Sequence, residues 1–492
     1  MMNVSRRLFL GGLVSVGATR MFAAAPGAFL GPGARLRFGV VSDIHVRTAA
    51  GADALPLYGP NYDTETFIAA LRYFDGRGAD AVMVTGDLAD NGIDEQLRAV
   101  GSAWDKVFPG DRAADGRAVT KLFVGGNHDW EGWKYGKMGE KRFPDEAERK
   151  AHVIAEDYPR HWEEAFHEKF QKVFVKDVKG YRFIGAHWPY HKDAAAVIAE
   201  ATKGMDRSRP FFYAQHPHLK DTAYGSWAWG HDNGAAGAAL AKFPNAVAFS
   251  GHSHYSLTDE RSVWQGDFIA VGAGSLRYTG KIGGYENSGP MRNSGFKQME
   301  ELSTRDCRQG LFVSVYDDRI VLERREFMTG TSLGDDWVIP LAGGERPYDF
   351  KRRAAAAKAP AFAADAAPKL SEETDGKNRG GKKCRQVTLA FPPALPSSPD
   401  RGRAFAYEIR VLQTQGDFTD LPILTKRVIP KGFNFGEADP RAREPVTCVF
   451  NAAELPHECS LKFEATALEC FGRRSKPIVT PSLKLKGVVV KW

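Results

Sequence analysis

The chain has 492 residues, 43% of them apolar, which is too long for one ordinary domain and enough to bury more than one core. Its formal net charge is +7, and setting aside an N-terminal leader that carries Arg6, Arg7, Arg20 and no acid leaves +4. So mild an excess, without a basic run interleaved with aromatics, excludes a nucleic-acid binder, and no nucleic-acid partner is expected.

The leader, residues 1–30, reads Ser5-Arg6-Arg7-Leu8-Phe9-Leu10 and then a short Gly/Ala/Val stretch to about Ala25. Twin arginines before such a stretch resemble a Tat export signal, and the stretch is too short to span a bilayer comfortably. Export to the periplasm or the exterior is therefore expected, with no stable membrane span. Ala23-Ala24-Ala25 has the form of a cleavage site, but Pro26 disfavours cutting there, so the cut position stays open. The five cysteines, Cys307, Cys384, Cys448, Cys459 and Cys470, are odd in number, so at least one thiol stays free or pairs elsewhere.

From Arg35 a strand-like run, Leu36 to Val41, ends in Ser42-Asp43-Ile44-His45. In extended geometry residues i and i+2 share a face, so Asp43 and His45 are expected to reach one atom. A helix is expected over Asp63–Phe74, from the spacing of Phe67, Ile68, Leu71 and Phe74, and another over Ile93–Phe108. Between them Ala81 to Thr85 reads as a strand ending in Gly86-Asp87. A third strand, Lys121 to Val124, delivers Gly125-Gly126-Asn127-His128-Asp129, where glycines permit a sharp exit that sends an amide, an imidazole and a carboxylate into one cavity.

Strands Phe211–Gln215 and Ala246–Ser250 then end in His216 and in Gly251-His252-Ser253-His254, and strands near Phe268–Val271, Leu311–Tyr316 and Arg319–Arg324 follow. Alternating strands and helices with polar residues at strand ends argue for an α/β layered architecture. Beyond it, residues 343–383 are poor in large apolar residues and read as a linker. Short alternating runs from Gln386 to Val490 predict an antiparallel β-sandwich over 384–492.

Asp43, His45, Asp87, Asn127, His216, His252 and His254 form a hard set of oxygen and nitrogen donors, more than one ion needs, and suit two ions of manganese, iron or zinc. Asp43-x-His45, Gly86-Asp87, Gly126-Asn127-His128-Asp129, His216 and Gly251-His252-x-His254 resemble the five motif blocks of the calcineurin-like metallophosphoesterase superfamily, in family order; the resemblance spans roughly residues 35–325, and the phosphoesterase domain is expected over 35–342. The resemblance implies a four-layer sandwich, two mixed β-sheets flanked by helices, with a dinuclear site at one edge. It assigns Asp43, His45 and His254 to one ion, Asn127, His216 and His252 to the second, and Asp87 to both. His128 is then free to protonate the leaving alkoxide, oriented by Asp129, while the two ions supply hydroxide from water near neutral pH.

The expected activity is phosphoester hydrolysis of a small-molecule substrate, as a phosphodiesterase or a phosphomonoesterase, with a lean towards diesters that rests on Asn127-His128 beside a complete ligand set, a set that monoesterases share. The alternative from another class is an exported, catalytically silent protein that binds an anionic or glycan ligand. Substrate choice falls to loops: Trp130–Arg149, with Trp133, Lys134, Tyr135, Lys137, Lys141 and Arg142; His187-Trp188-Pro189-Tyr190-His191; His218, Trp227, Trp229 and His231; and the long segment Arg277–Gln309. In the C-terminal part, Ala406–Val411, Lys462–Ala467 and Phe471–Pro477 resemble pieces of a fibronectin type III (Fn3/Ig-like) domain, which leaves a glycan or protein contact open there.

Overall fold

The computed structural model describes residues 33–47, 62–135, 143, 145–223, 229–279, 307–341, 343–377, 383–395, 402–457 and 459–485. The leader, Lys137, Lys141, Arg142, Trp227 and most of the segment between Arg277 and Gln309 lie outside these residues.

Two sheets face one another in the N-terminal part. In the first, β1 (Leu36–Val41), β2 (Ala81–Thr85) and β3 (Thr120–Val124) run parallel. β10 (Gln309–Val315) and β11 (Arg319–Glu326) continue it antiparallel on the far side of β1, and the short β12 (Thr331–Ser332) and β13 (Trp337–Pro340) pair antiparallel with β11. In the second, β5 (Tyr181–Ala186), β6 (Phe212–Gln215), β7 (Val247–Ser250) and β9 (Ile269–Gly272) run parallel. β4 (Val173–Val178) and β8 (Val263–Gln265) close its edges antiparallel. Both sheets are therefore mixed.

The pattern of each strand divides its side chains between two buried faces. Leu122 and Val124 join Phe38, Val40, Phe183, Phe212 and Phe249 between the sheets. Phe123 turns the other way, to Phe67, Leu71 and Phe74 of α1 (Tyr62–Gly76) and Leu97, Val100 and Trp104 of α2 (Asp94–Asp105). On the outer face of the second sheet Ile184, Tyr213 and Ala248 meet Ile198 and Leu240 of the helices Ala194–Ala201 and Ala235–Leu240. Helix, sheet, sheet, helix gives the expected four layers, and strands covered on both faces read as near-continuous apolar runs. The loops after the parallel strands β1, β2, β3, β6 and β7 carry the predicted site residues.

The C-terminal part is all-β. β14 (Lys369–Lys377), β15 (Lys383–Phe391) and β18 (Val446–Asn451) form one antiparallel sheet. β16 (Ala404–Gln415), β17 (Phe418–Val428) and β19 (Ser460–Glu469) form the core of a second. Val387, Leu389, Tyr407, Ile409, Phe450 and Phe463 pack together as their common core. The segment 343–383, read as a linker, carries a helix at Phe350–Ala356 as well as β14. β14 escaped the sequence reading because Leu370 is its sole apolar residue and its pairing comes from the β15 backbone. The five cysteines are all free thiols, and no described helix is long and apolar enough to cross a membrane.

Candidate metal centre

The backbone beyond the strand ends departs from extended geometry. Asp43, His45, Asp87, His252 and His254 have φ values of 53°, 47°, 53°, 67° and 55°. Residues with a Cβ cost about 1–2 kcal/mol each in this left-handed region, and Asp and His are among those that tolerate it best. Asp43 and His45 therefore come together through a turn past the end of β1 and not through strand alternation, which corrects the expectation. The turn is tied to its neighbour, since Asp43 N donates to Gly86 O (3.0 Å) and His45 N to Asp87 O (2.9 Å). Gly86 and Gly251 permit the crowding: a Cβ would collide with the His216 ring at the first and with Ser42 Oγ at the second.

All seven predicted ligand residues meet, each 8% exposed or less. Asp43 Oδ1 lies 3.0 Å from His254 Nε2 and 3.7 Å from His45 Nε2, and the two imidazole nitrogens are 3.3 Å apart. In the second group His216 Nε2 lies 3.0 Å from Asp87 Oδ2, 3.1 Å from Asn127 Oδ1 and 3.2 Å from His252 Nδ1. Asp87 joins the groups, because its Oδ2 is also 3.5 Å from His45 Nε2. Asp43, His45 and His254 have donor atoms close enough to share one ion, as do Asp87, His216 and His252.

Three imidazoles have their outer nitrogen fixed. His216 Nδ1 is 2.8 Å from Thr85 O, His254 Nδ1 2.9 Å from Tyr278 O, and His45 Nδ1 3.1 Å from Asp90 Oδ1. Donation outward leaves the inner Nε2 lone pair for a cation. Electrostatics demand positive charge here. Burial alone would raise the carboxyls of Asp43 and Asp87, yet the imidazoles, His254 foremost at Asp43 and His216 at Asp87, hold both well below the usual range. Reciprocally, burial would lower His45 and His216, but Asp43 and Asp90 lift the first to about 10 and Asp87 lifts the second to about 9. Protons collect where cations would otherwise neutralise the buried acids, so the donor set fits metal ions.

His128, at the N-terminal turn of α3 (Asn127–Glu131), borders both groups. Its backbone N–H donates to Asp87 Oδ1 (2.8 Å) and its ring lies 4.4 Å from that of His45. Burial lowers its pKa against the pull of Asp87. Asp129 does not orient this ring. Its carboxylate accepts from Gly126 N (2.7 Å), Ala89 N (2.7 Å) and Leu88 N (3.1 Å), while His128 Nδ1 pairs with the backbone oxygen of Asp90 at 2.7 Å. Asp90 was missed by sequence reasoning. Its signal was a second acid three residues after Asp87, beyond two apolar residues. Tyr278, stacked on His254 at 4.1 Å, was hidden at the start of a segment read only as a long loop.

The loop residues divide. Trp188 reaches the site, its ring 6.0 Å from His252 and 6.5 Å from His216, and His231 lies 4.9 Å from His252. His187 is buried behind them among Trp162, Phe170 and Tyr158, accepting from Gly125 N (2.9 Å). His191 pairs with His231 O, His218 with Ser253 Oγ, and Trp229 donates to Ala223 O. Trp133 packs with Ile93 and Phe143, and Lys134 lies over its ring.

Residues 36–256 match the family model described as calcineurin-like phosphoesterase. No curated protein matches the chain. Among solved structures, a dimetal phosphatase from Danio rerio is 11% identical, with 63% of this chain and all of that one covered at a TM-score of 0.37. A purple acid phosphatase from yellow lupin, Lupinus luteus, is 16% identical, with 62% of this chain and 53% of that one covered at 0.38. Likenesses so distant add nothing to the family match, which spans the strands and turns that carry every donor named above. Residues 36–256 are a calcineurin-like phosphoesterase domain, and its class of chemistry is phosphoester hydrolysis.

Proposed function

We propose that the protein is an exported phosphoester hydrolase that works with two metal ions, held by Asp43, His45 and His254 on one side and by Asn127, His216 and His252 on the other, with Asp87 shared. The observation that carries this reading is the position of Asp87 Oδ2, 3.0 Å from His216 Nε2 and 3.5 Å from His45 Nε2, between two buried donor groups. Bound ions of this kind supply hydroxide from water near neutral pH and neutralise phosphate oxygens. The chain's own residues do the rest. Thr85 O, Tyr278 O and Asp90 Oδ1 hold three imidazoles in the tautomer that leaves Nε2 facing inward. Asp129 fixes the two loops that carry Asp87 and Asn127 by accepting from both. His128, its Nδ1 held by Asp90 O, leaves Nε2 to give a proton to the departing alkoxide.

Manganese, iron and zinc all suit such a donor set. The twin-arginine leader supports export, and fusion of residues 1–30 to a reporter active only after export tests it. The hydrolase reading is tested with purified protein supplied with each metal, a nitrophenyl phosphomonoester, a bis-nitrophenyl phosphodiester and His128→Ala as control. Metal-dependent release is expected in the wild type, with a fall in His128→Ala that reaches roughly 10²-fold or more on alkyl phosphoesters, whose poor leaving group needs the proton, and is smaller on the nitrophenyl esters. Bound metal without release of nitrophenol would overturn it.

A further inference from the structure

We propose that Glu131 determines specificity, favouring phosphoesters whose alcohol carries an alkylammonium group and disfavouring substrates with added negative charge; the proposal rests on the hydrolase reading. Glu131 ends α3 one turn after Asn127. Its Oε1 accepts from Trp188 Nε1 and its Oε2 from Tyr135 OH, each at a long 3.4 Å. Tyr135 OH in turn accepts from Asn127 Nδ2 at 3.2 Å, and its ring lies 4.9 Å from His128. On the other flank the Trp188 ring lies 6.0 Å from His252. The carboxylate thus bridges two aromatic side chains that border the Asn127, His216 and His252 half of the centre.

Among the described residues Glu131 forms no ion pair, and the next base along the chain, Lys134, is turned onto the Trp133 ring at 5.3 Å. A half-buried carboxylate without a cation, beside a site that receives a phosphate, penalises every further negative charge on the substrate. An alkylammonium reverses the sign. It pairs with the carboxylate and meets the negative faces of the flanking aromatic rings, the combination by which proteins recognise such groups.

The test compares metal-loaded wild type and Glu131→Gln on the nitrophenyl ester of phosphocholine, a zwitterion, and on bis-nitrophenyl phosphate, a monoanion. The wild type is expected to prefer the phosphocholine ester in kcat/KM. In Glu131→Gln that preference falls roughly tenfold, through KM, as for a partly exposed charge and cation–π contact. The ratio is internal to each preparation, so a loss of folded enzyme cancels. An unchanged ratio in an active Glu131→Gln overturns the proposal and leaves the hydrolase reading intact. Titration of phosphocholine itself by calorimetry, with roughly tenfold weaker binding expected in Glu131→Gln, decides the point even if no ester turns over. That last result would overturn the hydrolase reading alone.

Discussion

Replacing Asp129 by alanine separates a structural carboxylate from a catalytic one. The side chain is fully buried, and its two oxygens are the acceptors for the backbone N–H groups of Gly126, Ala89 and Leu88. Each buried donor left without a partner costs about 1–3 kcal/mol. Three would total about 3–9 kcal/mol if the cavity stayed dry, and a water entering the space of the lost carboxylate satisfies one or two of them, which leaves one or two unpaired and an expected loss of about 1–6 kcal/mol. Asp129→Asn keeps one acceptor oxygen and loses about half as much. Denaturant unfolding with metal chelated measures the effect, because bound metal would add its own linkage. The expected order is wild type, then Asn, then Ala, with a lowered midpoint and an unchanged slope. Stability of Asp129→Ala within about 1 kcal/mol of wild type, together with a shifted acid limb of turnover, would refute this account and restore Asp129 as the partner of His128.

Asp90→Ala removes the acceptor for His45 Nδ1 but keeps the backbone oxygen that holds His128. Metal affinity is expected to fall about 10–100-fold, as for other carboxylates behind a ligating imidazole, with a smaller change in turnover at saturating metal. A metal titration with unchanged affinity would contradict it. His187 carries a pH signature. Burial, with Lys176 adding to it, pushes its pKa down to about 3, so the unfolded chain binds the proton more readily than the folded one. Its contribution is therefore complete above the unfolded value near 6.5 and is lost as pH falls towards 3, at about 2 kcal/mol between pH 7 and pH 5. His187→Gln, which keeps an acceptor for Gly125 N, should flatten the pH dependence of unfolding by that amount; equal slopes in the two proteins would show that His187 is protonated in the fold.

The donor residues were legible because each follows an apolar run and several follow a glycine: Val41 leads to Asp43, Gly86 to Asp87, Gly126 to Asn127 and Gly251 to His252. What adjacency could not give was the division of labour between Asp90 and Asp129. Neighbouring residues on a helix point about 100° apart and do not face each other. With α3 beginning at Asn127, a carboxylate next to His128 in sequence turns back to the β2 loop, while one from that loop crosses to the imidazoles. The C-terminal sandwich was visible through Val387, Leu389, Ile409 and Phe463, which alternate and are buried. β14 was not, since a strand whose pairing rests on its neighbour's backbone leaves little trace in its own side chains.

The left-handed conformations at Asp43, His45, Asp87, His252 and His254 also left no trace, because the residue types that tolerate them are the same types that bind metal. Five such residues in one site carry a cost that must be met by their surroundings. The surroundings are the backbone bonds from Asp43 N to Gly86 O and from His45 N to Asp87 O, the amides that Asp129 accepts, and the close approaches allowed at Gly86 and Gly251. Each of these fixes a direction of a side chain and not merely its depth. A site assembled in this way has its donor atoms converged by the fold itself, so the residues that would hold a cation stand together without the chain first having to reorganise.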